Sequence, residues 1–308
     1  MTDTIEALTS KLKEIGGNWA AYTALGSFAL YVIGYLALRF HLTVLGVGTD
    51  LSVLDERYIF TGAKFLVFLS ATIPIIVMIA LAVALVLAVV VYLPYRLLPA
   101  RNRESVDDKL RRFGDWWATP SRPAVVGIVI SVFLIQFVMR QCFRFGNLLL
   151  APHLPEPGWL QRLLLSENDG PRSLYFSLLV AGVIITVWLL LAARSRNGQT
   201  PRSRFLNSLL AVLVLIQFLL LPVNYGMVII DKLLPRVADL GGMVQLKEGQ
   251  EGWLVWEGKD GLTYFVRSAE EKGTSRKLVT LPQKDVKKTE IIRYDPVLRC
   301  VFVGRCSE

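Results

Sequence analysis

The chain has 308 residues, 53% of them apolar and only 19% charged, with a mean hydropathy of +0.47. Soluble globular chains carry about 25% charged residues; here the charges gather in loops and after residue 231, which excludes an ordinary pair of soluble domains. The net charge of +9 has no basic stripe with interleaved aromatics behind it, so it reads as the Lys/Arg bias of cytoplasmic loops and no nucleic-acid partner is expected.

Residues 1–17 form a polar segment. The apolar stretch that follows is too long for a signal's apolar core and has no small-residue cleavage site, so it is expected to stay in the bilayer. A transmembrane domain is predicted over 18–235, because a helix needs about 20 apolar residues to cross the hydrocarbon. About five transmembrane helices qualify, at roughly 19–40, 65–92, 124–143, 174–193 and 205–230. The second is long, and Pro74 within it removes a backbone donor and crowds the preceding turn, offering a kink.

Positive charge sets the orientation. Arg96, Arg101, Arg103, Lys109, Arg111, Arg112 and Arg122 lie between spans two and three, and Arg194, Arg196, Arg202 and Arg204 between four and five. The alternate loops are poorer: Arg57 in the first, and Arg144, Arg162 and Arg172 in the third. The positive-inside rule then places the N-terminus in the cytoplasm and the C-terminal domain outside, the periplasm if the membrane is a bacterial inner membrane.

Between the spans, Val106, Leu110, Phe113 and Trp117 recur at helical spacing among charged residues. That pattern predicts an interfacial helix over about 106–117, with Trp116 and Trp117 at headgroup level. Leu134-Ile135-Gln136-Phe137 returns as Leu215-Ile216-Gln217-Phe218, which raises a duplicated helical hairpin with Gln136 and Gln217 facing each other. The segment His41 to Gly62 holds an apolar part too short to span, then Asp50, Asp55, Glu56 and Arg57. Ser52 and Asp55 have the spacing of a capping box, so a helix starting there would run into span two. The charges read as capping plus a solvated cluster, or as a polar site at an outer vestibule or a docking point for the C-terminal domain.

From Gly241 to Glu308 the pattern becomes short and alternating, the mark of a small all-β extracytoplasmic domain. Trp253–Trp256 and Leu262–Val266 flank Gly258-Lys259-Asp260-Gly261, a hairpin signal because Asp-Gly tolerates positive φ. Further strands are expected at Lys277–Leu281, Thr289–Tyr294 and Val297–Val303, forming a small barrel or rolled sheet. Cys300 and Cys306 can bridge only if the chain turns back between them, since six residues of straight strand span about 20 Å.

Catalytic groups are sparse. The two histidines, His41 and His153, are far apart, and no Cys/His spacing, P-loop or dinucleotide fingerprint occurs. No cofactor and no metal are expected, and the balance leans away from an enzyme. Polar residues within spans carry a functional prior because burying them without partners is costly; these are Gln136, Arg140, Gln217 and Asn224. The composition points to a multi-pass protein of a cell membrane, with the lipid bilayer and a homo- or hetero-oligomer as partners. It is expected to be a non-enzymatic subunit or scaffold of a membrane complex with the β-domain as interaction module. A homo-oligomeric channel or transporter-like protein, and an envelope sensor, are the alternatives.

Overall fold

The computed structural model describes residues 19–47, 56–97, 99–117, 121–145, 159, 163, 169–195, 201–228, 233–240, 244–246, 249–258, 261–270 and 273–296. Five helices among them are long and apolar enough to cross a membrane. In chain order α1 is Trp19–Leu45 and α2 is Glu56–Leu87, which continues through a π-helical stretch, Ala88–Tyr92, into α3, Leu93–Leu97. Then come α4, Ala100–Trp117; α5, Ser121–Phe145; α6, Asp169–Ser195; and α7, Pro201–Val228.

All five long helices are longer than their apolar runs suggest. α1 absorbs His41–Leu45, which the sequence pattern separated as a short apolar segment, and α2 starts at Glu56 rather than near Phe65. Pro74 sits inside α2 without ending it. The irregularity falls later, at the π stretch just before Pro94, whose ring would crowd the carbonyl of Val90 in a regular ladder. α4 is helical from Ala100, earlier than expected, with Leu110 and Phe113 exposed on it and Arg112 paired to Asp108 at 2.7 Å.

Two close crossings explain which helices pair. A Cβ placed on Gly34 of α1 would lie 1.7 Å from the Tyr58 carbonyl oxygen, and one on Gly62 of α2 would lie 2.1 Å from that of Leu30. The two helices therefore meet backbone to backbone and antiparallel, a packing open only to the smallest residue. Gly226 of α7 meets Ala37 of α1 in the same way, at 1.9 Å from its carbonyl oxygen. Rings fill the space where α2, α6 and α7 converge: Phe65 and Tyr225 at 5.4 Å and Phe68 and Phe176 at 5.0 Å between centroids.

A separate antiparallel β-sheet follows α7. Its strands are β1, Leu233–Val237; β4, Gln250–Glu257; β5, Gly261–Glu270; β6, Gly273–Pro282; and β7, Ile291–Pro296, in the order β6-β5-β4-β1-β7. β2, Asp239–Leu240, and β3, Val244–Gln245, form a two-stranded ribbon. Among the described residues the sheet has five strands, and it begins at Leu233, inside the segment read as transmembrane and ahead of Gly241. Pro235 hides β1 from a pattern reading, since proline cannot complete a central ladder. It is tolerated because β1 pairs with β4 only at Arg236 and Val237, while β7 supplies the partner along the rest.

Alternation along β5 divides the sheet into two faces. Leu262, Tyr264 and Val266 join Val237 and Leu240 in one cluster. Phe265 turns the other way and, with Trp253, Val255 and Leu234, belongs to the same continuous apolar core as the helices. The sheet is thus seated on the end of the bundle where α7 finishes and α2 starts.

Candidate functional site

Of the eight polar positions the sequence offers, Asp50 and Asp55 lie outside the described residues, as do Cys300, Cys306 and the expected strand Val297–Val303. The other six separate by location. Glu56 and Arg57 open α2, both exposed. Arg57 Nη1 donates to the carbonyl of Glu257, and its guanidinium lies 5.3 Å from the ring centroid of Trp256. Arg57 thus joins the first turn of a long helix to the end of β4. A guanidinium suits both tasks, since it is planar and always charged.

Gln136 and Arg140 are exposed on α5, whereas Gln217 and Asn224 of α7 are buried. Gln136 and Gln217 do not face one another, although the two stretches of sequence match. Gln217 instead meets α6, with Thr186 Oγ1 at 2.9 Å from Gln217 Oε1 and 2.8 Å from the Val183 carbonyl. Two turns along α7, Asn224 Oδ1 accepts from the Tyr175 hydroxyl at 3.1 Å, and Asn224 Nδ2 donates to the Leu220 carbonyl at 2.9 Å. Between these pairs lies a small cavity of about 20 Å³, walled by Leu134, Val138, Leu179, Val183 and Leu221, with Gln217 and Asn224 as its polar lining.

Several buried polar side chains escaped the sequence reading. Ser131 and Gln141 on α5 and Ser177 on α6 are at most 2% exposed, and each has a side-chain oxygen without a hydrogen-bond partner. Their signal is helical spacing: Ser131, Val138, Gln141 and Phe145 share the buried face of α5. Arg172, read as a loop residue, is buried in the first turn of α6. His41, read as interfacial, is buried near the end of α1, where its Nδ1–H donates to the Gly226 carbonyl at 3.2 Å.

The sheet has an ionic layer of its own on the face shared with the bundle. Trp253 Nε1 donates to Asp295 Oδ2 at 2.9 Å, and Arg293 Nε pairs with Asp295 Oδ1 at 2.8 Å. Glu251 bridges Arg236, at 3.1 Å, and Arg267, whose guanidinium stacks over Trp253. Burial, and then the charge of Arg267 directly across the strands, holds Arg276 below the usual arginine range. On the opposite face burial pushes the Tyr264 phenol up; its hydrogen bond with Thr289 opposes that, while Asp239 and Glu257 add to it.

Among the described residues no three His, Cys, Asp or Glu side chains converge on a point that could hold a metal ion. Among the described residues amides and hydroxyls make up most of the buried polar groups within the helices. The chain matches no protein-family model, no curated protein and no solved structure.

Proposed function

We propose that the protein is a non-enzymatic subunit or scaffold of a membrane complex, with its N-terminus in the cytoplasm and its C-terminal sheet outside as the interaction module. One observation carries the reading: the sheet is fastened to the bundle, yet β7, its edge strand among the described residues, leaves Ile291, Ile292 and Tyr294 exposed at 44%, 59% and 61%. An open edge with apolar side chains is a liability unless something pairs with it or covers it. The orientation is supported by the far end of the bundle, where Arg96, Arg122, Arg194, Arg202 and Arg204 lie.

The reading is tested on the full-length protein extracted in mild detergent. It predicts a stable heteromeric assembly that Ile292→Lys with Tyr294→Lys disperses without lowering the melting temperature. It further predicts that a reporter after Glu308 is active only outside the cytoplasm. A purified chain that alone gives specific ion or solute flux in liposomes would overturn it in favour of a channel. Against a channel within one chain stands the apolar cluster of Ala124, Ala193, Leu210 and Val214, which closes the three-helix interface at the end away from the sheet.

A further inference from the structure

Four of the five strands of the sheet carry an arginine in one row across it. Arg236 of β1 stands directly opposite Arg293 of β7, and Arg267 of β5 directly opposite Arg276 of β6. Directly opposed residues share a face, with Cα atoms about 5 Å apart. Register fixes which face this is. Trp253 opposes both Arg236 and Phe265, and Glu251 opposes Arg267. The arginines therefore lie on the side of Trp253 and Phe265, which is the side that meets the bundle.

Like charges directly opposite one another destabilise a ladder, and this face has two such pairs. Its carboxylates, among the described residues of the five strands, are Glu251 and Asp295. Glu251 is divided between Arg236, at 3.1 Å, and Arg267. Asp295 takes Arg293 at 2.8 Å and the Trp253 indole at 2.9 Å. Four guanidiniums against two carboxylates leave an excess of two positive charges. The excess is greatest at the β5–β6 end, where burial and the charge of Arg267 hold Arg276 below the usual arginine range. Arg267 is fixed in place by Glu251 and by Trp253, whose ring centroid lies 5.3 Å from its guanidinium. The row is still open to a ligand: the Arg236 and Arg293 side chains are 25% and 40% exposed, and Arg276 is half-buried.

We propose that Arg267 and Arg276, backed by Arg236, form a binding site for a phosphate group. A guanidinium presents a planar fork of N–H donors that matches phosphate oxygens, in charge-assisted bonds roughly twice as strong as neutral ones. A phosphate monoester carries about −1.5 to −2 charge at pH 7, which matches the excess of the row. Two sources present that chemistry. The face is the one that rests on the end of the bundle, where the headgroups of a surrounding bilayer lie, and a soluble phosphate reaches the same face from the water.

The test uses the full-length protein in a phosphate-free maltoside detergent. Melting is followed while inorganic phosphate is added in one arm and short-chain phosphatidic acid in the other, with sodium chloride at equal ionic strength as the blank. A melting temperature raised beyond the blank is expected in at least one arm. A response to the lipid alone marks a headgroup site, and a response to inorganic phosphate marks a ligand taken from the water. Arg276→Gln is expected to weaken the apparent affinity roughly tenfold, the loss of one charge-assisted hydrogen bond. Lys277→Gln removes the same charge from the exposed, opposite face of β6 and is expected to leave the affinity unchanged. Without ligand, Arg276→Gln is expected to melt no lower than its parent, because it removes the charge facing Arg267. No rise beyond the blank in either arm would overturn the proposal, as would equal affinities in the two variants. An Arg276→Gln protein that melts below its parent without ligand would also overturn it, since Arg276 would then be a structural partner.

Discussion

Gly226→Ala perturbs the bundle at a single atom, and its cost can be worked from the structure. The new Cβ would sit 1.9 Å from the Ala37 carbonyl oxygen, where real Cβ contacts essentially never fall below 3.0 Å. α1 and α7 must therefore part by about 1 Å at that level, and overpacking of this kind costs about 1–3 kcal/mol. The same movement stretches the His41–Gly226 hydrogen bond, already 3.2 Å long, with a net value near 1 kcal/mol. Alanine's better helix propensity returns about 1 kcal/mol, which leaves a net loss of roughly 1–3 kcal/mol. For a chain of this size that lowers the melting temperature by roughly 2–5 °C, measured by tryptophan fluorescence in detergent. Gly26→Ala is the control, because nothing lies within 4 Å of its Cβ position, and it should lose nothing. A Gly226→Ala protein melting together with its parent would refute the close crossing of α1 and α7.

Asp295→Ala removes the acceptor of the buried Trp253 indole and the partner of Arg293; a loss of about 2–4 kcal/mol in chemical denaturation is expected, with near-ultraviolet dichroism reporting the tryptophan. Arg57→Ala should speed amide exchange at the end of β4 while leaving that of the β5–β6 ladder unchanged, and Arg57→Lys should not restore protection, since an ammonium lacks the planar fork. Tyr264 holds its proton more tightly folded than unfolded, so above the ordinary phenol pKa near 10 the unfolded chain binds fewer protons than the native one. Its contribution is intact below that pH and declines as pH rises toward the folded value. Alkaline unfolding should show this fall, and Tyr264→Phe should flatten it.

The long helices and most of the strands are legible in the sequence because each is written locally, as an apolar run or an alternation. What stays hidden depends on pairing. Gly34, Gly62 and Gly226 look like any other glycines until the facing backbone is known. Gln136 and Gln217 sit in nearly identical sequence and land in opposite environments, because a four-residue match says nothing about which side of a helix meets its neighbours. β1 is masked by Pro235, whose missing donor is harmless only on a strand paired mainly on one side. Arg57 was legible as a charge in an acidic segment; that it reaches Trp256 and Glu257, about 200 residues away, follows only from the seating of the sheet.

The length of α2 has a mechanical consequence once the bundle is placed in a bilayer. With its continuation it runs 42 residues, against 25 to 28 for its companions; that is roughly 63 Å of helix facing a hydrocarbon layer of about 30 Å. None of its most apolar stretch is buried against the other helices, so that half is free to lean, and a lean of this kind follows membrane thickness. A thicker bilayer would stand the helix up and a thinner one would lay it down, while the four shorter helices stay nearly indifferent. The second residue of the same helix is Arg57. Bilayer thickness would then act as a lever on one helix, with its short arm bonded to the sheet.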